Sequence, residues 1–549
     1  MQLVPIARPT LRIAGAEESE FAAALQHLDA TAREGSERPL ENLAAVCAAA
    51  QSALAAVIPV DGALPWPQFA HVMHIDETVQ AYYARAGRAM LAPAAHAEPL
   101  PKELIVASAQ LFREISAVYA REVAQTLPAS PAPAEVREPA LRFTRALWCL
   151  GMSAKWTYFM HQGSDTGLWR TCHALYLRTE SLRIAHRTVR PYLDPALGAL
   201  TCADVYAQTL MLGTLNAGNL SAQQMELAHR WVSDFVRNAA VEASSDGASH
   251  VFHACLDSER GLELGTPRGE ATAVRFLDIE PICAKLMNSR ASLRLGKVDL
   301  GEGERQAAVL DYGAFLDLAE RFWSPGANEV RERAPRISAK PQAIEVVVGF
   351  DHLMQVLTGG PAAKAGARHA TDDAAPRTGN ITFLHPDAAA EPAATLNCIL
   401  KDYSDTGVGL ILPGGNAAPQ LGALIGFRLS QRGRWEAGVL VRQLATPQSD
   451  QTLLGIKGIS DHPLAVTVRH GKPGAATAAG APVESPAIFA PSDGRRSRVD
   501  SLILRDVAYA RSKDFTLPTG SARFHVRLNR VLDRGDGWLR AGFQVLSKK

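Results

Sequence analysis

The feature that most limits what this chain can become is a change of hydrophobic period partway along it. Over 17–231, apolar residues recur at three- and four-residue spacing, as in Leu104, Ala107, Leu111, Ile115, Val118 and Tyr119, which is one stripe of an amphipathic helix. Beyond Pro341 the apolar runs are short and bounded by glycine. They are IEVVVGF (344–350), NCILKDYS (397–404), GVGLIL (407–412), RWEAGVLVRQL (434–444), LLGIKGIS (453–460) and LAVTVRH (464–470), and such runs are strands joined by turns. The two periods are not interchangeable, because a helix repeats every 3.6 residues and a strand every two. The fold class expected is therefore α+β and multidomain, an all-α region of helical hairpins followed by an antiparallel β-barrel with additional strands.

The boundaries follow from the breaks. The Pro-rich LPASPAPAE (127–135) separates two helices, and GSDTGLW (163–169) places Asp and Thr ahead of another. The run LWRTCHALYLRTESL suggests helical-repeat chemistry, but no 34-residue period holds across its neighbours, so no regular solenoid is expected. HVFHACLD and VRFLDI bring short strand-like runs near residue 249, and two more helices are expected over 281–293 and 304–323. The domains expected are thus 1–240 (helical), 241–330 (mixed α/β), 331–470 (barrel) and 483–549 (β-rich, three or four strands). A Gly/Ala/Pro-rich insertion at 359–380 and a linker at 470–486 interrupt the second half.

Composition excludes several classes. With 549 residues, 47% hydrophobic and 57 basic against 56 acidic side chains, the chain is an ordinary globular one of several domains. A net charge of +1 argues against a nucleic-acid binder acting along the whole length. The positive charge is instead local: 491–549 holds 13 Lys or Arg and 6 Asp or Glu, including Arg495, Arg496, Arg498, Arg523, Arg527 and Arg530. Alternation puts Arg523 and Arg527 on one strand face, and a solvated sheet face is the favoured reading over nucleic-acid binding. Seven scattered cysteines without a C-x-x-C pair point to reduced thiols. With no leader pattern at the start and no membrane span, the compartment expected is the cytoplasm.

Candidate metal ligands are His71 with His74, and His250 with His253 and Cys255. Neither set brings a fourth ligand at ordinary spacing, so no metal is expected. Phosphate-loop, dinucleotide-binding, nucleophile-elbow and zincin motifs are missing from the sequence, and no nucleophile, base and orienter can be named, so a non-enzyme is expected.

The most informative stretch is Asp402-Tyr-Ser404-Asp-Thr-Gly407, a D-x-S-x-x-G between two strand runs, preceded by the cluster Arg331-Glu-Arg333-Ala-Pro-Arg336 and followed by LIGFRL, a Trp435 strand, VRQL and LLGIKGI. In this order the segment resembles the PilZ domain, the bacterial cyclic di-GMP receptor barrel, whose signature is R-x-x-x-R in the entry segment and D/N-x-S-x-x-G on the barrel. The spacing of the first motif departs from the family, since four residues before Arg336 stands Glu332. The available pairs are Arg333 with Arg336 or Arg331 with Arg336.

The resemblance implies a binding site made of Arg331, Arg333, Arg336, Asp402, Ser404 and Gly407. Arginines offer forked donors to phosphate and to guanine acceptors, and aspartate accepts from guanine N–H groups. It further implies a bacterial signalling effector in motility, adhesion or biofilm control, with cyclic di-GMP as its ligand and no other cofactor. The helical region would hold an unidentified protein partner. The alternative is a ligand-independent interaction scaffold in which Asp402 and Ser404 merely close a turn.

Overall fold

The computed structural model describes residues 16–548 apart from 58–65, 92–99, 127–136, 162–165, 195–196, 216–219, 238, 246–251, 266, 268–272, 296 and 298–304 in the first half of the chain. Also outside the description are 324–335, 359–394, 430–432, 446–450, 471–483, 493–495, 498, 512 and 520–521. Arg331, Arg333, His250, Arg495, Arg498, the 359–380 insertion and most of the 470–486 linker fall in these intervals, as does the side chain of Arg530. The chain forms two compact units, Met1–Glu332 and Arg333–Lys549.

Among the described residues, the first unit has eight α-helices ahead of its strands: α1 (Ala16–Glu34), α2 (Leu43–Val57), α3 (Trp66–Met90), α4 (Lys102–Thr126), α5 (Arg137–Phe159), α6 (Thr166–Ser181), α7 (Cys202–Thr214) and α8 (Ala222–Val236). The stripe on α4 faces inward, with Leu104, Leu111, Ile115, Val118 and Tyr119 buried. Helices α4 and α5 run antiparallel. Ser116 Oγ of α4 donates to Ala146 O of α5, and Glu122 pairs with Arg142, so rising numbers on one helix meet falling numbers on the other. Capping boxes start α7 at Thr201/Asp204 and α8 at Ser221/Gln224, where orphan backbone donors at a helix start need acceptors.

A buried polar knot joins α3, α4 and α5. Asp76 accepts from Tyr119 Oη (2.9 Å) and Tyr192 Oη (3.1 Å), and Arg145 donates to Glu77 (2.6 Å) and to Pro191 O (2.8 Å). Such a group of charges is tolerated inside a protein only when its donors and acceptors are met. Four short strands follow: β1 (Val241–Glu242), β2 (Phe252–Cys255), β3 (Glu263–Leu264) and β4 (Val274–Leu277), in the order β1-β4-β2-β3. Helices α9 (Glu280–Arg294) and α10 (Arg305–Trp323) close the unit, and one continuous apolar core runs from Phe21 to Trp323. None of the helices among the described residues is long and apolar enough to cross a membrane.

The second unit contains two closed antiparallel rings of six strands each. The first is built from β6 (Ala343–Val348), β7 (Thr395–Ser404), β8 (Gly407–Leu412), β9 (Leu424–Leu429), β10 (Glu436–Ala445) and β11 (Thr452–Ser460). It closes because β7 pairs with β6 through its first half and with β8 through its second, while β6 also pairs with β9. A short strand, β5 (Ile337–Ser338), is added alongside the end of β7. The second ring comprises β12 (Leu464–His470), β13 (Glu484–Ala490), β14 (Ser501–Arg505), β15 (Asp514–Thr519), β16 (Ala522–Gly535) and β17 (Trp538–Lys548).

Written in chain order a to f, both rings have the same neighbours: a-b-c-f-e-d and back to a. The second ring is therefore a topological copy of the first. Each has its own apolar interior, Ile344, Val346, Leu410 and Phe427 in one, Val466, Leu502, Phe515 and Leu539 in the other. A third apolar cluster lies on outer faces of both rings: Val347, Leu424, Val439 and Ile459 from the first meet Ala465, Ile488, Ile503 and Trp538 from the second, with helix α11 (Phe350–Leu357) among them. Burial on both faces explains why the VVV run of β6 does not alternate with polar residues.

Four expectations need correction. Phe350, read as the end of a strand, opens helix α11, since Phe350, Leu353 and Met354 present one apolar face at helical spacing. Residues 484–486, read as linker, begin β13, and the C-terminal strands after the linker number five rather than three or four. The strand at 464–470, grouped by sequence with the first barrel, pairs with β13 and β15 and belongs to the second.

Candidate ligand-binding site

The D-x-S-x-x-G motif forms the β7–β8 hairpin. Plain alternation would send Asp402 inward, because Leu400 two residues earlier points into the first ring. A bulge between Leu400 and Asp402 absorbs Lys401 and changes the phase, so that Leu400 stands opposite inward Leu410 while Asp402 stands opposite outward Gly409. Bulges of this kind re-aim a side chain. Ser404, two residues on, shares the face of Asp402 and lies opposite Gly407. Its Oγ sits 3.4 Å from both Thr406 Oγ1 and Gly407 O.

A side chain at either paired position would collide, with backbone at Gly407 and with the Asp402 carboxylate at Gly409. A Cβ on Gly407 would lie 2.2 Å from Ile456 O, and one on Gly409 would lie 2.4 Å from Asp402 Oδ1. Gly409 was not singled out by sequence. It leaves the volume in which the Asp402 carboxylate rests.

Of the three arginines in the entry cluster, Arg336 is described, and it reaches the motif. Pairing of β5 with β7, Ser338 opposite Asp402 and Ile337 opposite Tyr403, carries Arg336 to the edge of the hairpin. There its Nη1 donates to Asp402 Oδ1 at 2.7 Å. The arginine side chain is 45% exposed and the aspartate 16%, so the guanidinium keeps an open side toward solvent. Arg331 and Arg333 lie outside the described residues.

The register extends the site beyond the signature. Across four strands the outward row reads Asp402 (β7), Gly409 (β8), Gly455 (β11) and Arg442 (β10). Arg442 owes its place to a second bulge, between Leu440 and Arg442, which turns the strand after inward Leu440 just as the first does after Leu400. With strands about 4.8 Å apart, an acidic and a basic residue face each other across a floor of two glycines. The next row holds Ser404, Gly407 and Lys457, whose Nζ contacts Asp533 at 2.9 Å. Chemically this is a flat backbone surface with donors and acceptors at its rim, suited to a planar, hydrogen-bonding, anionic molecule. Arg442, Gly455 and Lys457 escaped sequence reasoning because only strand pairing brings them beside the motif.

The other candidates separate. Arg496 pairs with buried Glu436, Arg527 with Asp514, Arg534 with Asp506, and Arg540 with Asp533. Four arginines of the C-terminal half thus have acidic partners within the fold, two of them, Arg496 and Arg540, largely buried. His74 takes Asp29 (3.0 Å) and His71 packs on Phe21 (ring centroids 4.4 Å). The seven cysteines are free thiols.

Residues 24–246 match a family described as the N-terminal domain of the cyclic-di-GMP receptor FimW. The matched stretch covers α2 to α8 and most of α1, ending at the start of the small sheet. No curated protein matches the chain.

Proposed function

We propose that the chain is a cytoplasmic cyclic di-GMP effector whose first barrel, of PilZ type, binds the dinucleotide and whose helical unit engages a protein partner. The observation that carries this reading is the convergence of Arg336, Asp402 and Ser404 at the rim of a glycine floor. It is supported independently by the similarity of the helical region to the N-terminal domain of a cyclic-di-GMP receptor.

Arg336 and Asp402 satisfy each other in the free protein. A bound dinucleotide exchanges that ion pair for two sets of charge-assisted hydrogen bonds: the guanidinium turns to phosphate or to guanine O6/N7, and the carboxylate accepts from guanine N1–H and N2–H. Ser404 adds a hydroxyl, Gly407 and Gly409 admit the ligand close to the backbone, and Arg331 or Arg333 supplies the second guanidinium. Because the arginine cluster runs directly on from the helical unit in sequence, holding it against the barrel is the route by which ligand would bias the partner-binding state.

Titration calorimetry of the full chain with cyclic di-GMP tests this. Saturable binding is expected, weakened at least about tenfold by Arg336→Ala or Asp402→Ala, since a hydrogen bond to a charged group is worth about 1.5–3 kcal/mol. No heat at high micromolar protein would discard the receptor reading and leave an interaction scaffold.

A further inference from the structure

The small sheet of the helical unit brings Glu263 beside His253 and Cys255, two of the candidate metal ligands offered by the sequence. His253 and Cys255 are two residues apart on β2 and therefore share a face, and Glu263 of β3 stands directly opposite His253. One ligand atom from each lies within 4.8 Å of the others, and they are the one such trio of His, Cys, Asp or Glu among the described residues. His253 and Cys255 are buried, while Glu263 keeps 30% of its side chain exposed, so the cluster is closed on the protein side and open to water on the other.

The surroundings hold this arrangement in place. His253 Nδ1 is 2.7 Å from Gly265 O, which assigns the proton to Nδ1 and leaves the Nε2 lone pair as the ligand atom. Gly265 presents that carbonyl from φ 95°, a left-handed conformation that glycine adopts without strain. The β2–β3 hairpin is fastened to α6, where His173 Nε2 contacts Arg260 O at 2.7 Å and Gly261 lies so close to Trp169 that a Cβ would be 2.7 Å from its ring. Glu263 meets Arg260 at 2.8 Å through Oε1, an exposed pairing that leaves Oε2 for a second partner.

We propose that His253 Nε2, Cys255 Sγ and a Glu263 carboxylate oxygen bind one zinc ion, with water as the fourth ligand. A thiolate, an imidazole and one carboxylate form a borderline-soft donor set that selects zinc over magnesium or calcium. Tetrahedral bonds of about 2.0–2.3 Å place ligand atoms roughly 3.3–3.8 Å apart, so the trio closes by at most about 1.5 Å on binding. The Cys255 thiol gives its proton to solvent as the Zn–S bond forms. The ion would cross-link β2 to β3 at the end of the helical unit.

The test uses the full chain, stripped with chelator and titrated with zinc in competition with a chromophoric chelator, and with cobalt(II) in parallel. One zinc per chain and a thiolate-to-cobalt charge-transfer band are expected, both lost in Cys255→Ser and His253→Gln and both kept in the control Cys283→Ser. Glu263→Gln, at a partly exposed position, should weaken zinc at least about tenfold. The proposal is overturned if the wild-type chain takes up no zinc, shows no such band with cobalt, or binds zinc equally in Cys255→Ser.

Discussion

At the scale of single residues, the candidate site depends as much on missing side chains as on present ones. Asp402 lies where Gly409 has no Cβ, and the two are joined by register rather than by motif. Gly409→Val is therefore expected to displace the carboxylate and weaken cyclic di-GMP by at least about tenfold while the far-ultraviolet circular dichroism keeps its β signal, because β-branched residues suit strands. Unchanged affinity in this variant would show that Asp402 does not touch the ligand. The signature residues Asp402, Ser404 and Gly407 were legible in the sequence because hairpin motifs are local. Gly409, Gly455 and Arg442 were not, since which glycine faces which carboxylate is decided by two bulges that no hydrophobic pattern announces.

At the scale of elements, α5 and α8 are joined by buried charge. Lys155 Nζ meets Glu226 at 2.8 Å, with Arg230 at 3.0 Å on its other oxygen. Although burial opposes its charge, the adjacent Lys155, with His229 and Arg230, holds the Glu226 carboxyl down at about 2. His229, edge-on to Trp148, is pushed down to about 3 by burial and by the Lys155 cation. Both groups bind protons more readily in the unfolded chain, from about 6.5 downward for the histidine and about 4.5 downward for the glutamate. Their contribution is complete above those values and fades as pH falls toward the folded values, so acid destabilises this unit. Denaturant unfolding between pH 6.5 and 5 should show stability falling by at most about 1.4 kcal/mol per pH unit from His229, and His229→Gln should flatten that slope. An unaltered slope would remove His229 from the account. The helices themselves were legible: 281–293 and 304–323 expected, Glu280–Arg294 and Arg305–Trp323 observed. Their charged partners were not, because Lys155 and Glu226 are 71 residues apart.

At the scale of the whole molecule, the second unit is two rings of identical strand order sharing one apolar cluster. Trp538 of the second ring is buried in that cluster, and its Nε1 donates to Gly422 O at 3.2 Å, a residue preceding β9 of the first. Trp538→Ala is expected to cost about 3–5 kcal/mol and to lower the unfolding of both rings together, followed by calorimetry of the 333–549 segment. Separate transitions, with the first ring unaffected, would show that the cluster does not couple them. Sequence reasoning expected one barrel with extra strands. It missed the second ring since closure is a pairing between the first and fourth strands of the set, β12 with β15, and loop length and composition say nothing of such partners.

The sequence by itself determined the element types and most of their limits, because the hydrophobic period is local: 407–412 and 464–470 are strands to the residue. It also determined the ligand class to ask about, through D-x-S-x-x-G. Only the tertiary structure decided what stands beside what. The row from Asp402 to Arg442, the Arg336 ion pair, the duplicated ring and the trio His253, Cys255 and Glu263 all join residues through backbone pairing or packing across the chain. Such contacts are set by the total burial and hydrogen bonding of the fold, which no short window of sequence contains.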